Sequence, residues 1–169
     1  MKKLTLITGG QRSGKSAHAQ NLALAASKKP VYLATSRIWD DEHKKRIERH
    51  KADRDERWEN IEEEKYLSKH DFSQKTVLID CITLWLTNFF FDNKSDIDNS
   101  LNEAKIEFEK LLNQDANFIV VTNEIGLGGM PENEIQRKFT DLQGWMNQHI
   151  AKMADEVYLM VSGIATKIK

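Results

Sequence analysis

One cysteine and two prolines among 169 residues leave little to brace or punctuate the chain. The lone thiol, Cys81, has no second cysteine for an intramolecular disulfide, and no Cys/His cluster has zinc-like spacing. The fold must therefore rest on its own apolar core, and a reducing, cytoplasmic setting is expected. No sign of charge dominates either: 25 Lys+Arg against 26 Asp+Glu leave a formal charge of -1. That balance lacks the single-signed field of a protein that coats nucleic acid, so no nucleic-acid partner is expected. Also missing is any apolar run of membrane length. Met1-Lys2-Lys3 has the basic opening of a signal peptide, but the apolar run behind it stops after a few residues, so neither export nor a membrane span is expected.

What is present suits one α/β domain over residues 1–169, since 40% of residues are hydrophobic and the length is that of a single core. Short β-branched runs alternate with longer segments of helical period. Strands are predicted at Lys3 to Thr8, Val31 to Thr35, Thr76 to Asp80, Phe118 to Thr122 and Glu156 to Val161. Helical patterns lie between them, with Ala17, Leu22 and Leu24 on one and Leu101, Ile106, Phe108 and Leu111 on another. The order predicts a mostly parallel sheet with helices on both faces. Ile164 to Ile168 follows its predecessor after only Ser162-Gly163, too short for a parallel crossover, so an antiparallel C-terminal edge strand is predicted.

One stretch departs from this pattern. Residues 37–65 hold nine basic and eleven acidic side chains, with only Ile38, Trp39, Ile47, Trp58 and Ile61 as large apolar residues. A solvated, charged helical segment is the simplest expectation.

Gly9-Gly10-Gln11-Arg12-Ser13-Gly14-Lys15-Ser16 matches G-x-x-x-x-G-K-[ST] between a predicted strand and a predicted helix, the context a phosphate-binding loop requires. Glycines let backbone N–H groups turn inward on phosphate oxygens, and the helix N-terminus adds positive potential. Lys15 meets the β/γ charge, and the Ser16 hydroxyl is a Mg²⁺ ligand. A nucleoside triphosphate with Mg²⁺ is expected. Val77-Leu78-Ile79-Asp80 reads as a buried strand that delivers a carboxylate to the edge where ligands bind. Asp80 there serves either the metal or as the cap of the next helix. Asn123 and Glu124 reach the same rim from another strand. Gly126 to Pro131 reads either as a loop folding over substrate or as plain surface.

His43 and His50 lie seven residues apart, on one face of any helix that Asp40 or Asp41 caps. A neutral imidazole is a competent nucleophile toward phosphorus, and Arg49, Lys51 and Arg54 supply charge for the transition state. An exposed helical histidine with no chemistry has the same spacing, which therefore leaves the choice open.

Taken together the motifs resemble a known family, the bifunctional adenosylcobinamide kinase / adenosylcobinamide-phosphate guanylyltransferases of cobalamin assembly. The resemblance rests on Thr8 to Ser16, Tyr32 to Ser36, Asp40-Asp41-Glu42, Arg46-Ile47 and His50-Lys51. It continues through Arg54, Trp58, Glu62, Asp80 to Thr83, Thr87-Asn88, Val121 to Gly126, Pro131-Glu132-Asn133 and the ending from Val161 to Lys169. It implies a P-loop, RecA-like fold and two reactions. A nucleoside triphosphate, ATP or GTP, phosphorylates the aminopropanol hydroxyl of adenosylcobinamide; GTP then gives GMP to that phosphate and pyrophosphate leaves. The GMP passes through a covalent histidine, by position His50. Nucleotide contacts are implied for Gly9 to Ser16, for Ala34, Thr35 and Ser36, for Lys51, Ala52, Asp53 and Arg54, and for Glu62 and Asp80. Ser16 and Asp80 are expected on Mg²⁺. A homotrimer is implied, with the sparse apolar residues of 37–65 at a subunit contact. Members often have paired histidines where this chain has Arg49-His50, and Asp-Gly where it has Ala52-Asp53. Two other readings of the residues are a P-loop kinase of another small alcohol without a histidine intermediate, and a nucleotide-switched binding protein.

Overall fold

The structure, a computed structural model, describes residues 2–37 and 55–169. The expectations for His43, His50, Lys51, Ala52, Asp53 and Arg54 lie outside the described residues.

A seven-stranded sheet runs through the molecule in the order β3-β2-β4-β5-β1-β6-β7. Its strands are β1 (Lys3–Gly9), β2 (Val31–Ala34), β3 (Glu59–Glu62), β4 (Thr76–Asp80), β5 (Asn117–Val121), β6 (Glu156–Val161) and β7 (Ile164–Lys167). Every neighbouring pair is parallel except β6 and β7, which form the expected antiparallel edge hairpin. Four described helices accompany it: α1 (Lys15–Ala26), α2 (Ile82–Asp92), α3 (Ile97–Leu112) and α4 (Glu134–Met153). None is long and apolar enough to cross a membrane.

The period-two alternation of the strands divides the core in two. Leu4, Leu6, Val31, Leu33, Val77, Ile79, Phe118 and Val120 face one side, where α2, α3 and α4 contribute Trp85, Phe89, Phe108, Leu111, Leu142 and Met146. Ile7, Tyr32, Leu78, Ile119 and Val121 face the other, against Ala19 and Ala23 of α1. Helices thus cover both faces, three on one and α1 on the other among the described residues. Burial from both sides is why the central strands read as nearly unbroken apolar runs.

The charged segment needs correction. Its C-terminal part is not helical, because Glu59–Glu62 form β3, in parallel register with β2 from Val31↔Glu59 to Ala34↔Glu62. Its apolar residues there are not left over for a subunit contact. Trp58 is buried and packs edge-on against Tyr32 with ring centroids 5.8 Å apart, and Ile61 packs against the larger core. Two helix patterns shift as well. Ala17 is exposed while Ala19 and Ala23 take the buried face of α1, and Ile106 is exposed on α3 while Ala104, Phe108 and Leu111 are buried. The small alanines let α1 lie close to the sheet.

Candidate functional site

Strand registers assemble the site. Ala34 stands beside Glu62 on one side and Asp80 on the other, Asp80 beside Val121, and Val121 beside Ile7, so all end at one edge of the sheet. This is the carboxyl edge at which open α/β sheets bind ligands. The loop from Gly9 to Ser16 leaves β1 at that edge and enters α1, whose N-cap is Gly14.

Close packing explains the loop's glycines. Gly9 has φ +151°, and a Cβ there would stand 2.5 Å from the Met160 carbonyl oxygen. Gly14 has φ +96°, with Gly163 Cα 3.1 Å from where its Cβ would be. The β6–β7 turn closes the contact, since the Gly163 N–H donates to the Ser13 carbonyl at 2.9 Å. The loop is therefore shaped by residues from the far end of the chain.

Lys15 is buried at the foot of the loop, where its Nζ donates to the Gly10 carbonyl and lies 3.5 Å from Ser13 Oγ. Burial holds its pKa below the ordinary lysine value, opposed in part by the Asp80 charge. Burial also pushes the Cys81 thiol up to about 12, helped by the Asp80 charge, so the cysteine is neutral and unreactive at neutral pH. Asp80 accepts a hydrogen bond from the Tyr32 hydroxyl at 2.9 Å. It is not the cap of α2: Cys81 holds that position, and no side chain caps the helix.

The remaining sequence-identified positions that are described join the same edge. Thr35 is fully buried and donates to the Cys81 carbonyl at 2.8 Å, and Asn88 Nδ2 donates to the Thr35 carbonyl at 2.9 Å. These bonds fix the segment from Ala34 to Ser36 against the start of α2. Glu62 ends β3 with its side chain exposed. Ser16 opens α1 directly after Lys15.

A cleft of about 760 Å³ adjoins the loop, with Gly10 and Gln11 on one wall and Thr83, Asn123, Glu124 and Leu127 across it. The Ile125–Gly128 segment forms a 3-10 turn rather than an irregular loop, leaving Leu127 and Met130 exposed. A narrower apolar groove of about 350 Å³ lies beyond it, between Phe90 and Phe91 of α2 and Ile135 and Phe139 of α4. Sequence reasoning did not find Tyr32, Thr83 or the buried pair Gln143 and Asn147 as parts of the site. For the last two a signal existed: two amides four apart on the apolar stripe of α4.

Oxygen donors suit Mg²⁺. Ser16 Oγ and the Asp80 carboxylate belong to the same edge, and no cluster of three or more His, Cys, Asp or Glu able to hold a metal occurs among the described residues. One or two protein oxygens are what Mg²⁺ takes when phosphates supply the rest of its shell.

Comparison with known proteins extends the geometry. The chain is 39% identical to the bifunctional adenosylcobalamin biosynthesis protein CobU of Escherichia coli over 181 residues, spanning 98% of this chain and 99% of that protein. It is 36% identical over 169 residues to the corresponding CobP of Pseudomonas aeruginosa, spanning 97% and 96%. Among solved structures, the flagellar accessory protein FlaH from Methanocaldococcus jannaschii is similar in fold, with a TM-score of 0.50 at 15% identity over 99% of this chain and 78% of that one. The model of the cobinamide kinase / cobinamide phosphate guanyltransferase family matches residues 5–168. A match over almost the whole length, through every strand of the sheet and the entire phosphate loop, means that this chain belongs to that family.

Proposed function

We propose that this protein phosphorylates adenosylcobinamide with a nucleoside triphosphate, ATP or GTP. It then transfers GMP from GTP to the resulting phosphate, giving adenosylcobinamide-GDP and pyrophosphate. The observation that carries the reading is the juxtaposition of buried Lys15 with Asp80 at the carboxyl edge of the sheet, in a chain that matches a kinase and guanyltransferase family over residues 5–168.

Each residue has a task that follows from its chemistry. Backbone N–H groups from Gly10 to Ser16 turn toward phosphate oxygens, and Lys15 meets the β- and γ-phosphates. Arg12 adds a guanidinium at the loop's outer side. Ala34, Thr35, Ser36 and Glu62 line the flank toward the nucleoside. Ser16 and Asp80 would hold Mg²⁺, which supplies charge neutralisation on the phosphates when bound.

In the second reaction His50 Nε2 or Nδ1 attacks the α-phosphorus of GTP as the bond to the β-phosphate oxygen breaks and pyrophosphate leaves. The phosphate of adenosylcobinamide phosphate then attacks the same phosphorus, and the imidazole is released. Lys51 and Arg54 stabilise the added charge, and Ala52 and Asp53 contribute further contacts to the nucleotide. The protein acts as a homotrimer in the cytoplasm.

Native mass spectrometry after incubation with GTP and Mg²⁺ tests the intermediate and the assembly together. A trimer of 19.5 kDa chains is expected, each gaining one guanylyl group that His50→Asn abolishes. Absence of the adduct from wild type removes the covalent step, and a monomer removes the trimer.

A further inference from the structure

At the end of β5 stands a carboxylate to which the roles above give no task. The Glu124 backbone N–H donates to the carbonyl of Gly9, the first residue of the phosphate loop, at 3.1 Å. Its Oε1 accepts twice, from Thr8 Oγ1 at 2.8 Å and from Asn147 Nδ2 at 3.0 Å. Asn147 is itself fixed. Its Oδ1 accepts from Thr122 Oγ1 at 2.7 Å and from Gln143 Nε2 at 2.8 Å, and its Nδ2 also donates to the Asn123 carbonyl at 3.0 Å. Thr122 and Gln143 are fully buried and Asn147 is 6% exposed. With two donors on its oxygen, Asn147 turns its NH₂ toward Glu124 Oε1 and the Asn123 carbonyl, which fixes the position of the Glu124 carboxyl group.

Both bonds fall on Oε1. No hydrogen bond from a described residue reaches Oε2, and Glu124 lines the same cleft as Gly10 and Gln11. Lys15 Nζ sits on the Gly10 carbonyl, and a P-loop lysine reaches the β- and γ-phosphates, so this is the side where a γ-phosphate lies.

We propose that Glu124 is the general base of the phosphorylation step, held by Thr8 and Asn147; the proposal rests on the kinase reading above. Oε2 takes the proton from the acceptor hydroxyl, the freed oxygen forms its bond to the γ-phosphorus, and the bond from that phosphorus to the β,γ-bridging oxygen breaks. The nucleoside diphosphate leaves with the electron pair. The guanylyl transfer has no such need, because a phosphate monoester, with a second pKa of about 6, reaches the site with its oxygen already deprotonated.

The two reactions therefore respond differently to one substitution. Glu124→Gln keeps an acceptor oxygen for Thr8 and Asn147 and alters only the edge that takes the proton. In the full-length protein it is expected to lower kcat for phosphorylation of adenosylcobinamide by about 100- to 1000-fold and to flatten the rise of that rate with pH. Guanylyl transfer from GTP to presynthesised adenosylcobinamide phosphate should fall less than about threefold, and Glu124→Asp should restore part of the kinase rate. Equal losses in both reactions would mean that Glu124 only supports the loop, and an undiminished kinase rate would mean that it is not the base; either result overturns the proposal. A wild type that guanylylates but does not phosphorylate overturns the kinase reading itself, a result distinguishable from both.

Discussion

Lys15 illustrates what a residue's neighbours add to a motif. The spacing of glycines around it was legible because the phosphate loop is contiguous and its strand and helix context are local. Its burial beside the Gly10 carbonyl and the Asp80 charge was not, because strands far apart in sequence create it. The consequence is measurable. Burial makes the free protein hold the Lys15 proton less tightly than an exposed lysine does, and a triphosphate against Nζ opposes that effect. Nucleotide binding is thus expected to take up protons in the alkaline interval between the lowered pKa and the ordinary lysine value of 10.5. Calorimetric titration with GTP across the alkaline range below the ordinary lysine pKa, in two buffers of different ionisation enthalpy, should show buffer-dependent heats for wild type. Lys15→Arg, which keeps the charge but does not titrate there, should remove the dependence. Identical heats in both buffers for wild type would contradict this account.

At the scale of elements, the parallel strands β1, β2, β4 and β5 could be read to within a residue or so of their ends, because burial on both faces leaves β-branched and apolar runs with few interruptions. β3 could not. Its four residues, Glu59-Asn60-Ile61-Glu62, lie at the sheet edge with alternating half-buried and exposed side chains, and such a short charged strand looks like part of a solvated helix. Pairing with β2 and the burial of Trp58 hold it in place. Directly after it, Glu63 fastens the connection. Its buried carboxylate accepts from the backbone N–H groups of Lys65 and Tyr66, both at 3.0 Å, and pairs with Lys69. Burial raises the Glu63 pKa, but the bonds from Lys69, Lys65 and Tyr66 outweigh it and the net direction is down. For a carboxylate lowered on folding, the stabilisation is fully present above the ordinary glutamate value of 4.5 and is lost as pH falls through the lower folded value. Glu63→Gln should cost about 1–3 kcal/mol in urea unfolding at neutral pH. The gap from wild type should close as pH falls through the lowered folded value of Glu63. A gap that persists unchanged into acid would mean that the ionised form is not what matters.

For the molecule as a whole, the site belongs to both ends of the chain at once. The phosphate loop leaves β1 near the N-terminus, yet Met160 and Gly163 of the C-terminal hairpin confine its glycines, and the Leu4 N–H donates to Asp155 Oδ2 at 2.8 Å to tie β1 to the segment before β6. Asp80, Thr35 and Glu62 reach the same edge from three further strands or their ends. A ligand seated there binds only when the whole sheet is in register, so it stabilises against global unfolding rather than local opening. Saturation at about 100 times Kd adds about 2.7 kcal/mol. For a chain of this length that corresponds to a rise in Tm of about 5–10 °C. GTP with Mg²⁺ should produce such a shift in a thermal melt, EDTA should shrink it by removing the ion that Ser16 and Asp80 are proposed to hold, and Lys15→Ala should nearly abolish it. A shift that survives Lys15→Ala intact would place the triphosphate somewhere other than the carboxyl edge, and the roles assigned to Asp80, Ser16 and Glu124 would fall with it.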